Sequence, residues 1–337
     1  MTVDHLTQKK ILPFVPGELA AMPGMADAAH EKAIALALSG GPDSMALCRL
    51  LSQWAAAGKG PEIHALTIDH GLRPEAAAEA RLVGEWVKGW PRVRHAVLTL
   101  KDIKAKGRIM EKARQGRYEI LSDYCRRQAI GRLFTAHHLD DQAETFLFRL
   151  AKGSGPDGLA AMRACSSYDD CLSIVRPLLG VTKDRLVATC RHYKIPFVAD
   201  PTNDNPAFAR NRLRQAQKIL AREGLTPKRL AVTAGRMGRA CEALDHYAKE
   251  TFNGSLREQD GKRTAFDFAA LAAAPAEISL RVLLMAMKDD GYGPRREGLE
   301  ALAADLFFRE NFKKRTLGGF MVSRDRKKGL IVLEKER

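Results

Sequence analysis

The chain has 337 residues, with 55 Lys and Arg against 40 Asp and Glu, a formal charge of +15. Its length exceeds one usual domain and can bury a large core, which excludes a small stapled module, and no apolar run reaches the roughly 18–20 residues that span a membrane. Six cysteines (48, 125, 165, 171, 190 and 241) contain no C-x-x-C pair, so neither a zinc site nor a disulfide framework is encoded. The reading is therefore a cytoplasmic protein of at least two domains, whose positive charge suits a polyanionic partner larger than a nucleotide.

Residues 1–29, with Pro13, Pro16 and Pro23, read as a flexible leader. Ala33 to Leu38 is uniformly apolar, the mark of a buried parallel strand; Ser39, Gly40 and Gly41 form a tight turn, and the apolar period of a helix runs from Ser44. A glycine turn between strand and helix brings main-chain N–H groups and the positive helix end against one anion. Ser39 and Ser44 add hydroxyl donors, and Pro42 lies between. Asp43 stands inside this anion-seeking loop, where its carboxylate would repel phosphate unless a cation bridges them, so Asp43 implies Mg²⁺.

Further strands are expected at Glu62–Asp69, Arg94–Leu100 and Ile130–Ala136, with helices after Pro74 and over 106–128. A fifth strand is expected at Ser173–Arg176 or Pro196–Ala199. Cys165 and Cys171 fall in a presumptive loop, while Cys48, Cys125 and Cys190 sit in apolar helical patterns as small core residues. Strands alternating with helices give an α/β fold, an open parallel Rossmann-like sheet with helices on both faces, over residues 30–205. The 39–44 loop, Asp69 with His70, the segment after Leu100, and His137 with His138 then share the carboxyl edge. Residues 206–250 read as a helical connector interrupted at Gly224–Pro227. Residues 251–337 read as a small α+β domain, with two amphipathic helices and a hairpin turning at Arg326–Lys328.

His137, Asp141 and Glu144 are spaced i, i+4, i+7 and would share one helix face, with His138 and Asp140 to either side. Starting at a strand's carboxyl end, that helix would let Asp141 join Asp43 on one Mg²⁺ while His137 approaches the phosphates. Lys101, Lys104, Lys106, Arg108, Lys112, Arg114 and Arg117 form a dense basic stretch beside the cleft, and Arg210, Arg212 and Arg214 begin the connector, a pattern that grips nucleic-acid phosphates without reading sequence.

The hexapeptide S-G-G-P-D-S at 39–44 resembles the loop of the PP-loop ATP pyrophosphatases, which holds the pyrophosphate released when a substrate is adenylated. H-H-L-D-D-Q-A-E-T at 137–145, D-H-G-L-R-P at 69–74, E-K-A-R-Q-G-R-Y at 111–118, D-P-T-N at 200–203 and R-N-R-L-R at 210–214 together resemble the tRNA(Ile)-lysidine synthetase family. That resemblance implies ATP, Mg²⁺, free L-lysine and a tRNA(Ile) with a CAU anticodon, and a C–N ligase reaction. ATP adenylates C2 of cytidine 34, and the lysine ε-amino group then displaces AMP. It implies a pyrophosphate cradle at Ser39, Gly40, Gly41, Pro42, Asp43 and Ser44, a metal on Asp43 and Asp141, and catalytic roles for Asp43, Arg114, His137 and Asp141. Substrate contacts fall to Asp69, His70, Arg73, Arg117, Asp140, Glu144, Arg210, Asn211 and Arg214, with Asp140, Asp141 and Glu144 as candidate bases for lysine. No membrane is involved, and a homodimer is left open. The rival readings are a tRNA thiolase of the same superfamily, disfavoured by the missing C-x-x-C pair, and an ammonia-using ligase, which has no need of the basic stretches.

Overall fold

The computed structural model describes residues 11–69, 76–99, 109–198, 209–288 and 293–336. The chain divides into two compact units, 1–236 and 237–337. In chain order the first holds α1 (Pro16–Ala20), α2 (Met25–Ala28), β1 (Ala33–Ala37), α3 (Pro42–Ala57), β2 (Glu62–Asp69), α4 (Ala76–Val87), β3 (Val93–Thr99), α5 (Ile109–Arg127) and β4 (Arg132–Phe134). There follow α6 (Leu139–Leu150), α7 (Pro156–Leu159), β5 (Cys165–Ser167), β6 (Ser173–Val175), α8 (Lys183–His192), α9 (Ala209–Arg222) and α10 (Pro227–Ser255), which carries the chain into the second unit.

The first unit is a six-stranded sheet of order β3-β2-β1-β4-β6-β5. All pairs are parallel except β5 with β6. The period of two in a strand sorts β1 between two cores. Ile34, Leu36 and Leu38 join residues of α3, α4 and α8 on one face; Ala35 meets Leu121 and Cys125 of α5 on the other. Helices thus cover both faces, and each fully buried Leu, Ile or Phe contributes about 1.5–3 kcal/mol. On α3, Met45, Leu47, Leu50 and Leu51 are all fully buried, which fixes the helix whose first turn follows the glycine turn.

Four sequence expectations need correction, while the strand at Ser173 and the break at Gly224 are met. Residues 14–28 are no loose leader: Phe14, Leu19, Met25 and Ala28 are buried in the main core. Arg185 of α8 binds both carboxylate oxygens of Glu18, at 3.0 and 2.9 Å, and the Phe14 amide donates to Thr189 Oγ1 at 2.8 Å. Residues 1–10 lie outside the described residues. Helix α3 begins at Pro42, which takes the first position because its missing N–H would be unbonded there in any case. The fourth strand spans only three residues. The fifth parallel strand is Ser173–Val175, with 196–198 irregular, and Cys165 opens the edge strand β5 instead of lying in a loop. The 223–226 break between α9 and α10 falls where Gly224, at φ +87°, demands it.

The second unit has an antiparallel sheet of β7 (Leu256–Gln259), β8 (Arg263–Asp267), β9 (Arg315–Leu317), β10 (Phe320–Asp325) and β11 (Leu330–Lys335), in the order β7-β8-β11-β10-β9. Helices α11 (Phe268–Ala273), α12 (Ala276–Ala286) and α13 (Arg296–Phe308) share a core with it through Val282, Leu283, Leu302, Leu306, Phe266 and Ile331. The expected hairpin is β10–β11; β7 and β8 were not anticipated.

Candidate active site

After β1 the chain builds β2 and β3 to one side and then returns to β4 on the other side of β1. In an open α/β sheet, that reversal opens a crevice outside the strand carboxyl ends where ligands bind. The segments entering it are 38–41 after β1 and 135–138 after β4.

The two glycines of the first segment differ. Gly40 has φ +81°, and a Cβ there would lie 2.6 Å from Val83 Cγ2. Its carbonyl accepts from the Val198 amide at 2.9 Å, so the turn is locked from both sides. Gly41 has φ −72° and ψ 163°, open to any residue, and a Cβ there would meet only Ser39 Oγ, at 3.6 Å. Its missing side chain therefore leaves space, not conformational freedom. The Ser39 and Ser44 hydroxyls lie 3.0 Å apart, Ser44 Oγ accepts from the Ser39 amide at 3.2 Å, and the Gly41 amide donates to Ser39 Oγ at 3.4 Å. Donors are thus gathered around the start of a 16-residue helix, a geometry suited to anionic oxygens.

Opposite stands a cluster on one imidazole. His138 is only 3% exposed. Its Nε2 lies 3.5 Å from both Asp43 Oδ2 and Asp141 Oδ2, and its Nδ1 lies 3.5 Å from Asp140 Oδ2. Burial alone would push this histidine down, but the facing carboxylates of Asp140, Asp43 and Asp141 prevail and raise it to about 10. Asp140 Oδ2 also accepts from the Lys183 amide at 3.0 Å, capping α8. Burial pushes this carboxyl up, and the His138 ring beside it with the bond from the Lys183 amide overcomes it, leaving it below the ordinary value. Asp141 Oδ2 accepts from the His138 amide at 3.0 Å. His138 is therefore the residue capping α6, and His137 precedes the helix. The expected helix face shared by His137, Asp141 and Glu144 does not exist. His137 instead lies half-buried with Nδ1 2.9 Å from Thr135 Oγ1.

Asp43 Oδ1 is buried with no hydrogen-bond partner. An orphaned carboxylate oxygen beside an anion cradle fits a hard divalent cation whose other ligands come from phosphate and water.

The PP-loop domain family matches residues 17–220. The tRNA(Ile)-lysidine synthase of Bradyrhizobium sp. (strain BTAi1) is 43% identical over 263 residues, 75% of this chain and 73% of that one. That of the Wolbachia of Brugia malayi is 33% identical over 313 residues, 92% of this chain and 72% of its own. The chain belongs to the tRNA(Ile)-lysidine synthase family. Among solved structures, the U34-tRNA thiolase NcsA from Methanococcus maripaludis, with its [4Fe-4S] cluster, shares the fold at TM-score 0.56 and 15% identity, over 67% of this chain and 78% of that one.

In this lysidine synthase family member the remaining expected residues divide. Asp69 ends β2 half-buried, one strand from the glycine turn. Glu144 is 5% exposed. Arg117 is exposed on α5. Arg114 lies on α5, and Arg210, Asn211 and Arg214 lie on α9, but their side chains, like His70, Arg73 and the 101–108 basic stretch, fall outside the described residues. His138 was missed as a site residue. Its signal was Asp141 three positions on, the spacing of a capping pair, which starts the helix at Leu139, two residues later than the i, i+4 reading assumed. Gln142 was also given no role. Its carboxamide pairs with both main-chain groups of Met162, each at 2.8 Å, strapping residues 155–162 to α6 together with Arg149, which donates to the Gly158 and Ala161 carbonyls.

Proposed function

We infer that this chain is a tRNA(Ile)-lysidine synthase, which uses ATP to adenylate C2 of cytidine 34 in a CAU anticodon and then joins the ε-amino group of free lysine to that carbon, releasing AMP and diphosphate. Family membership gives the reaction. The observation that carries its placement is the orphaned Asp43 Oδ1 at the mouth of the glycine turn, inside the β1/β4 crevice.

The turn at Ser39–Gly41 and the first amides of α3 take the β- and γ-phosphates, with the Ser39 and Ser44 hydroxyls exchanging their mutual bond for phosphate oxygens. Asp43 and Asp141 are the carboxylates that would hold Mg²⁺, which neutralises charge building on the departing diphosphate. His137, Arg114 and Arg117 supply further donors to the phosphates. In the second half-reaction the lysine ammonium must lose a proton before attack. Burial argues against Glu144 as the base, which leaves Asp140 and Asp141 as the candidate carboxylates of α6 to accept it. Asp69, His70 and Arg73 border the substrate, and Arg210, Asn211 and Arg214 with the 101–108 stretch hold tRNA phosphates.

The test is direct. Purified protein with ATP, Mg²⁺, radiolabelled lysine and unmodified tRNAs is expected to label only the tRNA(Ile) carrying CAU. Lysine incorporation without tRNA dependence, or transfer of ammonia or sulfur in its place, would overturn the reading.

A further inference from the structure

Adjacent histidines at the end of β4 face opposite tasks, and the residue that separates them is Thr135. Although β4 ends at Phe134, the Thr135 amide still donates to the Val175 carbonyl at 2.9 Å, so its backbone continues the ladder with β6. Thr135 is 5% exposed. In extended chain, residues two apart project to the same side. The Thr135 hydroxyl therefore reaches the His137 imidazole at Nδ1, 2.9 Å away. Ala136 between them packs into the main core, and His138, one further, turns the other way onto Asp43 and Asp141. The His137 ring is thus held from the sheet, by a side chain without freedom of its own, and half-exposed at the crevice.

We propose that Thr135 is a positioning residue that fixes the rotamer and tautomer of His137, so that Nε2 is the ring nitrogen serving the nucleotide phosphates. A hydrogen bond at one imidazole nitrogen decides which proton the other carries. A threonine suits the task because its β-branch restricts χ1, and its hydroxyl, donating to Nδ1, leaves the ring proton on Nε2, as donation to a phosphate oxygen requires. This inference rests on the phosphate role proposed for His137, and its test separates the two.

The variants are Thr135→Val, which keeps the β-branched shape and removes the hydroxyl, and Thr135→Ser, which keeps the hydroxyl. The first measurement is long-range ¹H–¹⁵N correlation of the histidine ring nitrogens in the ligand-free full chain, with His137 assigned through its loss in His137→Gln. The parent and Thr135→Ser are expected to show one dominant His137 tautomer, and Thr135→Val a shifted, averaged pair of ¹⁵N signals. Unchanged His137 signals in Thr135→Val would overturn the positioning role whatever the enzyme's activity. The second is single-turnover diphosphate release at saturating ATP and tRNA. Thr135→Val is expected to be about tenfold slower, ~1.4 kcal/mol, with the ATP concentration for half-maximal rate changed less than twofold and Thr135→Ser within about threefold of the parent. A parent-like rate in Thr135→Val despite altered ring signals would overturn the assignment of His137 to the phosphates. A Thr135→Ser variant as slow as Thr135→Val would overturn the hydroxyl as the operative group.

Discussion

Substituting alanine for each glycine of the turn in turn separates folding from binding. At Gly40, alanine must adopt φ +81°, which costs an L-residue about 1–2 kcal/mol. It also brings a Cβ to 2.6 Å from Val83 Cγ2. Val83 is 1% exposed in the main core, so its methyl cannot swing clear, and such overpacking costs about 1–3 kcal/mol. Together these amount to about 2–5 kcal/mol, or roughly 4–20 °C in the unfolding midpoint of a unit this large. At Gly41 neither term exists: φ is −72° and the nearest atom to the added Cβ is 3.6 Å away. Gly41→Ala is expected to unfold at or slightly above the parent temperature, because alanine narrows the unfolded ensemble. Its methyl instead stands where phosphate must approach the backbone, so ATP affinity is expected to fall at least about tenfold, ~1.4 kcal/mol. Thermal unfolding with and without ATP and Mg²⁺ reads both effects in one experiment. Parent-like ATP protection of Gly41→Ala would refute the cradle, and a parent-like midpoint for Gly40→Ala would refute the locked turn.

Asp43→Asn keeps the side-chain shape and removes its charge; single-turnover diphosphate release is expected to fall by roughly 10², about 3 kcal/mol, with tRNA affinity retained. An unchanged rate with unchanged Mg²⁺ dependence would make Asp43 a turn residue. Reversing Lys101, Lys104 and Lys106 to glutamate should weaken tRNA binding and flatten its salt dependence in filter binding while sparing ATP, since non-specific phosphate contacts release counterions; an equal salt slope would mark the stretch as solvated surface. Asp169 is held below its ordinary value of 3.8 first by the Ser122 hydroxyl, which donates to it at 2.7 Å, and then by the Cys171 and Leu172 amides. A depressed carboxylate contributes stability that is present above its unfolded value and lost as pH falls through the folded one. Ser122→Ala should therefore cost about 1 kcal/mol at neutral pH and progressively less below about pH 4, and a loss of equal size at pH 3 and pH 7 in denaturant titrations would contradict the linkage.

How far the sequence could be read depended on whether the signal was local. The glycine turn declares itself because strand, turn and helix are contiguous, and β1 to β3 follow from apolar runs whose neighbours are helical. The leader misled because its apolar residues are sparse: Phe14, Leu19, Met25 and Ala28 have no period of their own, and elements distant in sequence, among them α3 and α8, supply the partners that bury them. Strands β7 and β8 were missed for a related reason. Arg257, Glu258 and Arg263 make them look like solvated connector, and the antiparallel pairing of β8 with β11, over sixty residues on, gives them their place. At the site, the pattern H-H-x-D-D was read as a helix face shared by His137, Asp141 and Glu144, whereas His137 precedes α6 and His138 caps it beside Asp43, Asp140 and Asp141. A two-residue shift in the helix start takes both histidines out of the helix, and sequence periodicity does not resolve helix ends that finely.

The fold shared with a tRNA thiolase leaves open which nucleophile follows adenylation, and that question is answered by side chains, because fold alone does not specify chemistry. Sulfur transfer needs thiols that are accessible, readily ionised and close enough to cooperate. All six cysteines here are among the described residues, and Cys48, Cys125, Cys190 and Cys241 are buried. Burial pushes the Cys48, Cys125 and Cys190 thiols up to about 12, which keeps them protonated near neutrality. The exposed pair, Cys165 and Cys171, does not converge: Cys165 is in register with Val175 at one end of β6, while Cys171 precedes Ser173 at the other. The cluster that does converge consists of three carboxylates about His138, at the mouth of the crevice. Its charge suits a divalent cation and an incoming ammonium group, so the polar lining of this crevice favours an amine over a sulfur donor. Two-electron oxidants or alkylating reagents at Cys165 and Cys171 are accordingly expected to leave lysine incorporation within about twofold of the untreated protein, whereas a thiol-dependent transfer would be abolished.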